Sequence, residues 1–230
     1  MAGIDLDGDV RRVDPDRWLA SRFITDPAAR ADVVALYAFD HELAHAGHVT
    51  SSDLAAEIRL AWWREALDDI QAGRAPRRHP VAEALARVVS ARALPPEPFE
   101  AMVAARIDSL GKGRLELAEA QAWATGAQGA LARLAARVLD PAADEAMARP
   151  AGVAWGLVLL RRSGRSGGDQ FDLGLRAMLA GAREAARHLP AAAFPAALPA
   201  TLARADLGSK SPGELEKRAR LSWAALTGRL

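Results

Sequence analysis

The chain has 230 residues, with 30 Lys and Arg against 29 Asp and Glu and no Cys. That length allows one large domain or two small ones with a sizeable buried core. A near-even balance without blocks of one sign excludes a nucleic-acid-binding surface as the main business of the chain, and the missing Cys excludes disulfides, thiolate metal sites and Cys nucleophiles.

The N-terminal "MAGIDLDGDVRRVD" carries neither the apolar core of a secretory signal nor the acid-poor, Arg- and Ser-rich character of a transit peptide. Apolar residues then recur at three and four rather than two, with no segment alternating as a strand. Residues 1–14 are expected to be a flexible leader. Asp14-Pro15 and Asp26-Pro27 each read as an N-cap followed by Pro at the first helical position, opening helices over 15–24 and 27–46, the second stopped by Gly47. Thr50 with Asp53 forms a capping-box pattern before a helix over 52–72 that ends at Gly73. Further helices are predicted over 80–92, closed by Pro95-Pro96, and over 96–110, 114–139 and 143–163. The apolar run "AGVAWGLVLL" (151–160) inside the last of these has ten residues, about half of the ~20 that span a bilayer. "SGRSGGDQFD" (163–172) reads as a Gly/Ser loop, and helices over 170–189, 195–206 and 212–227 follow, the last opened by the Ser211-Pro212…Glu214 box. The expectation is a single all-α domain located in the cytoplasm, with peripheral contact at the inner face of the cytoplasmic membrane left open.

Several groups of residues could carry chemistry. "YAFDHELAHAGHVT" (37–50) places His41, His45 and His48 at spacings of four and three, hence on one helical face. Three imidazoles there suit a transition metal, but no second His or Cys cluster completes the ligands, since His79 and His188 stand alone; partly buried histidines are the plainer reading. Asp68-Asp69 is the only tandem carboxylate pair, placed at a helix end where the dipole disfavours anions. Trp62-Trp63 with Arg59 and Arg64 offers either a stacking platform or ordinary packing, with Arg59 and Trp63 the candidate ligand contacts. "LLRRSGR" (159–165) gathers Arg161, Arg162 and Arg165 after an apolar run, either as a charged helix end or as a phosphate or lipid head-group site.

In order and content, "ALYAFDHEL" (35–43), "EIRLAWWREALDDIQAGRAPRRHPVAEAL" (57–85), "LPPEPFEAMVAARIDSL" (94–110), "AWATGAQGALARLAARVLD" (122–140) and "AGVAWGLVLLRR" (151–162) resemble the squalene/phytoene synthase family, from about residue 15 to 206. The resemblance implies an all-α isoprenoid (terpenoid) synthase-like helical bundle around a deep apolar cavity. Active members of that family join two prenyl diphosphates head to head, with two Asp-rich motifs holding magnesium ions that assist diphosphate departure. Matched from Tyr37-Ala38-Phe39, the carboxylate positions of the first motif fall on Ala44, His45 and His48. Matched through Arg161, those of the second fall on Val158, Arg162 and Ser166. Both motifs have therefore lost their ligands. Arg162 places a positive charge where a magnesium ion would sit, and like charges ~4 Å apart at an effective dielectric near 20 repel by ~4 kcal/mol per unit charge. The arginine-and-"YLP" segment that follows the second motif in active members is not evident. Asp169 and Asp172 lie in the loop that replaces it, displaced from the motif.

Within the family the chain is similar to the degenerate branch that includes the mitochondrial complex I assembly factor and its bacterial counterparts, through "RLAWWRE" and "PAGVAWGL". What this implies is a non-catalytic binding protein without metal or other cofactor. Its partner would be a respiratory-complex subunit or assembly factor, or an isoprenoid or quinone-like lipid. The alternatives are a prenyl diphosphate transferase with atypical diphosphate binding through the arginines and histidines, for which magnesium would be the cofactor, and an interaction module whose cavity is filled.

Overall fold

The computed structural model describes residues 5–48, 53–203, 205–207 and 212–230, and for residues 47 and 48 the backbone alone. The described residues form α-helices and short helical turns and contain no strand. Local signals open the helices as expected at two places. Asp14 accepts a hydrogen bond from the Arg17 N–H and Pro15 begins α2 (Pro15–Ser21), while Asp26 accepts from the Ala28 N–H ahead of α3 (Pro27–His48). Thr50 and Ser211, read above as capping residues, lie outside the described residues.

Three corrections follow from the structure. The leader is not irregular throughout, because Leu6–Val13 form α1, capped by Asp5. Its Asp7 accepts hydrogen bonds from Trp18 Nε1 at 2.9 Å and Arg22 at 2.5 Å, which ties α1 to α2. The single helix expected over 114–139 is two, α7 (Leu117–Ala124) and α8 (Ala130–Leu139), joined by one π-helical turn over Thr125–Gly129. Third, the acids placed in a loop at 169 and 172 lie in the first turn of α10 (Asp169–Ala186).

The remaining helices are α4 (Asp53–Gln71), α5 (Pro80–Arg92), α6 (Glu97–Asp108), α9 (Arg149–Arg162), α11 (Pro199–Ala203) and α12 (Glu214–Thr227). Two of them organise the core. α3 packs against α1, α4, α5, α6 and α8, and α9 packs against α7, the π turn, α8, α10 and α11. The ten-residue apolar run lies in α9 and is buried from Ala151 to Val158. A helix that is apolar all round needs neighbours on every side, and α9 has them. Among the described residues no helix is long and apolar enough to cross a membrane.

The seat of α9 depends on small residues. A Cβ added to Gly152 would lie 2.2 Å from the Gln128 carbonyl oxygen and 2.7 Å from Ala132 Cβ. At Gly156, one turn further on, it would lie 2.8 Å from Ala124 Cβ. Both glycines face the π turn, so α9 approaches its backbone more closely than any side chain permits.

Replacing Gly152 by Ala should therefore lower unfolding stability by about 1–3 kcal/mol through overpacking. Gly181, exposed within α10 with open space around it, should respond oppositely to the same change, gaining about 0.5–1 kcal/mol of helix propensity. Chemical denaturation of the two variants tests the pair, and equal effects would contradict the packing argument.

Candidate functional site

Asp40 is an acid in the middle of the buried stretch of α3, with its side chain only 3% exposed. A carboxylate there requires compensation, and three elements supply it. Arg17 from α2 donates at 2.8 Å, Arg106 from α6 at 2.7 Å, and the Gln128 amide from the π turn donates to both carboxylate oxygens at 2.9 Å. Arg17 also donates to the side-chain oxygen Oε1 of Gln128 at 2.9 Å and to Asp14, and its guanidinium lies over the Tyr37 ring. Arg17, Gln128 and Asp40 thus close a ring of hydrogen bonds in which both ends of the Gln128 amide are used. Burial alone would raise the Asp40 carboxyl. The charges of Arg106 and Arg17, with hydrogen bonds from Gln128 and Arg17, outweigh it and hold the group down at about 2. Burial pushes the Tyr37 hydroxyl up to about 12.

A second cluster lies on the same wall. Asp16 of α2 pairs with Arg162 at 2.7 Å and with Lys217 of α12 at 2.8 Å. Arg162 also makes two parallel 2.8 Å bonds to Asp206, the forked geometry that suits guanidinium to carboxylate, and lies over the Trp155 ring. For Asp16, burial works against ionisation, and the hydrogen bonds and charges of Lys217 and Arg162 prevail, leaving the group below the usual carboxylate range.

Between the clusters lies a cavity of about 430 Å³, walled by α2, α3, α6, α7, α9 and α12. Its charged lining is Asp14, Asp16 and Asp40 against Arg17, Arg106, Arg162, Arg165 and Lys217. Each of these acids is bound by at least one of these cations. The residues present do not fit a divalent cation, which needs free carboxylate oxygens. Among the described residues no group of three or more His, Asp or Glu is arranged to hold a metal ion.

The predicted positions separate. Ala44 and Arg162 line this cavity together, as does His41. Val158 is wholly buried in the core, and Ser166 is buried and donates to the Leu115 carbonyl. The His48 side chain lies outside what is described. His45 stacks on His41 with ring centroids 6.0 Å apart, yet lines a different cavity of about 340 Å³, with Glu42, Ala46, Arg59, Trp62, Trp63 and His79. Trp63 itself is buried against Phe39 and His79, at centroid distances of 5.3 and 5.0 Å. Arg161 donates to the Asp206 carbonyl and approaches Asp172 at 3.4 Å. Asp69 is held by Arg74 and Arg77. The bare charge expected at Arg162 is corrected by its two acid partners, Asp16 and Asp206. Sequence reading passed over Asp14, Asp16, Arg17, Arg106, Gln128, Asp206 and Lys217. The one available signal was Asp40 itself, an acid flanked by apolar residues at both helical spacings.

Three comparisons place these features among known proteins. Residues 10–165 match the model of the family described as squalene/phytoene synthase. The fold matches the crystal structure of squalene synthase HpnC from Alicyclobacillus acidocaldarius with a TM-score of 0.67, covering 97% of this chain and 93% of that one at 16% identity. Over 85 residues the chain is 28% identical to the "NADH dehydrogenase (ubiquinone) complex I, assembly factor 6 homolog" of Dictyostelium discoideum. That stretch is 37% of this chain and 24% of the relative, so the match spans about a quarter of the relative's length.

Because the Asp40 carboxyl is depressed when folded, its network stabilises the fold above the unfolded value near 4 and loses that contribution as pH falls through about 2. Asp40→Asn should cost about 3–5 kcal/mol at neutral pH by leaving two buried guanidiniums without their shared anion. It should also flatten the stability profile between pH 4 and 2. Urea unfolding across that range reads both effects, and an unchanged slope would remove Asp40 from its assigned role.

Proposed function

The chain belongs to the squalene/phytoene synthase family, and we propose that it is a non-catalytic member that works by binding. The single observation behind this reading is the state of the cavity acids. In the family's reaction, free carboxylates gather magnesium around a leaving diphosphate. Here Asp14, Asp16 and Asp40 are all committed to Arg17, Arg106, Arg162 and Lys217. Releasing Asp40 would leave the largely buried Arg106 without its carboxylate, at a cost of several kcal/mol. What the cavity retains is shape and an apolar and aromatic lining that includes Leu159, Leu160, Trp123 and Trp155. The corresponding ligand is an isoprenoid or quinone-like lipid, and the corresponding partner is a protein of respiratory complex I assembly, a role supported by the likeness to the Dictyostelium assembly factor 6 homolog. Contact with a membrane in this reading is peripheral, at the inner face of the cytoplasmic membrane.

Incubation with farnesyl or geranylgeranyl diphosphate and millimolar magnesium should release no pyrophosphate above the uncatalysed background. Magnesium alone should leave the thermal midpoint of the protein unchanged. Magnesium-dependent turnover would overturn the non-catalytic reading in favour of an active transferase. Affinity capture from the native host should enrich respiratory-complex subunits rather than isoprenoid-pathway enzymes.

A further inference from the structure

We propose that Arg106 and Arg165 form a metal-independent oxyanion site, built for the phosphate or carboxylate of a ligand held in the cavity. This deepens the binding reading above, on which it rests, by naming the chemistry that the same cavity recognises.

Both arginines line the 430 Å³ cavity and also an adjoining one of about 380 Å³, bounded by the 109–113 loop, so they stand where the two meet. Arg165 is held in place without being neutralised. Its backbone bonds to Leu115 and Leu160 at 2.8 and 2.9 Å, and Nη2 donates to the Ser109 and Lys112 carbonyls at 3.0 and 3.2 Å. Among the described residues no carboxylate reaches it, which sets it apart from Arg17, Arg106 and Arg162. Arg106 uses one nitrogen on Asp40, and that carboxylate is already shared with Arg17. Among the described residues its buried Nε has no acceptor, and neither do the buried indole N–H groups of Trp123 and Trp155 on the same wall.

The surrounding charges do not correct the surplus. Lys112 is engaged by Glu119 at 2.9 Å, and Asp53 lines the second cavity from an exposed position. Arg17, Arg106 and Arg165 therefore face only Asp14 and Asp40, leaving donors and positive charge in excess. Burial, and then the charge of Arg106, pull Arg165 below its ordinary value. An anion between the two guanidiniums relieves both effects and uses the forked N–H geometry that suits phosphate and carboxylate. Arg161 and Arg162, the arginines that the sequence makes most conspicuous, are occupied by Asp172, Asp206 and Asp16.

The test titrates the full chain with inorganic phosphate and with acetate, in EDTA, by calorimetry. We expect saturable binding of at least one anion, and the tighter of the two assigns a phosphate-bearing or carboxylate-bearing ligand. Arg165→Gln should weaken it roughly tenfold, and Arg165→Lys should retain part of it by keeping the charge. A readout without variants is the thermal midpoint of the unmodified chain, which should rise in the binding anion relative to chloride at equal ionic strength. No saturable binding and no thermal shift with either anion, binding that needs magnesium, or binding indifferent to Arg165→Gln would each overturn the proposal. Absent anion binding leaves the non-catalytic reading standing, whereas magnesium-dependent turnover of a prenyl diphosphate strikes that reading and not the anion site.

Discussion

One carboxylate shared by two guanidiniums sets the geometry of this molecule's interior. Asp40 is 3% exposed, Arg17 5% and Arg106 11%. Charges removed that far from water survive only with close partners and satisfied hydrogen bonds. Asp40 stands on α3 and its partners come from α2, α6 and the π turn, so the requirement for compensation fixes the mutual placement of four elements otherwise joined by non-directional apolar contact. Buried ion pairs often add little net stability compared with apolar residues of the same shape. The contribution here is better understood as registry. The helices can slide only by stranding a charge.

The second cluster applies the same rule at the other side of the cavity. Asp16 binds Arg162 and Lys217, and Arg162 in turn binds Asp206. α2, α9, the 205–207 turn and α12 are held together by it. The two clusters determine what the cavity can do. Its carboxylates hold helices, and a carboxylate already paired with one or two cations has little net charge to offer an incoming divalent ion. Cation binding and this internal bracing compete for the same oxygens, and the bracing groups are covalently present at fixed distance. Arg165 differs, because among the described residues its guanidinium is held by carbonyl oxygens and by no carboxylate.

Much of the architecture was legible in the residues, for reasons that differ by element. The helices beginning at Pro15 and Pro27 announce themselves through local capping chemistry, which acts over three or four residues. α9 was legible as a buried helix because ten consecutive apolar residues are too few for a membrane span. The π turn was not, since its glycines and Thr125 mark a weak helical stretch without specifying an extra residue, and the close seat of Gly152 against the Gln128 carbonyl is a contact distant in sequence. α1 was missed because it has a single buried apolar residue, Val10, and is fastened by polar contacts to Trp18 and Arg22. The candidate site was legible only in outline. Ala44 and Arg162 do share a cavity, but the acids that neutralise Arg162 come from Asp16 and Asp206, separated from it by 146 and 44 positions. No local pattern encodes such a pairing.

The apolar core explains how a synthase-like fold can persist while the positions matched to the motif ligands carry other side chains. The core is built from Leu36, Phe39, Leu43, Leu60, Leu85, Phe99, Met102, Leu134, Leu157 and Leu160, all fully buried and all apolar. Of the five matched motif positions whose side chains are described, Val158 and Ser166 are buried, the first as core and the second with a hydrogen bond to Leu115. Ala44 faces the cavity, where the loss of a carboxylate removes no packing. Apolar periodicity assembles the helices, and the buried ion pairs of the cavity wall set their register. A wall position outside those pairs, such as Ala44, can change its side chain without disturbing either, so the fold places little constraint on the chemistry there.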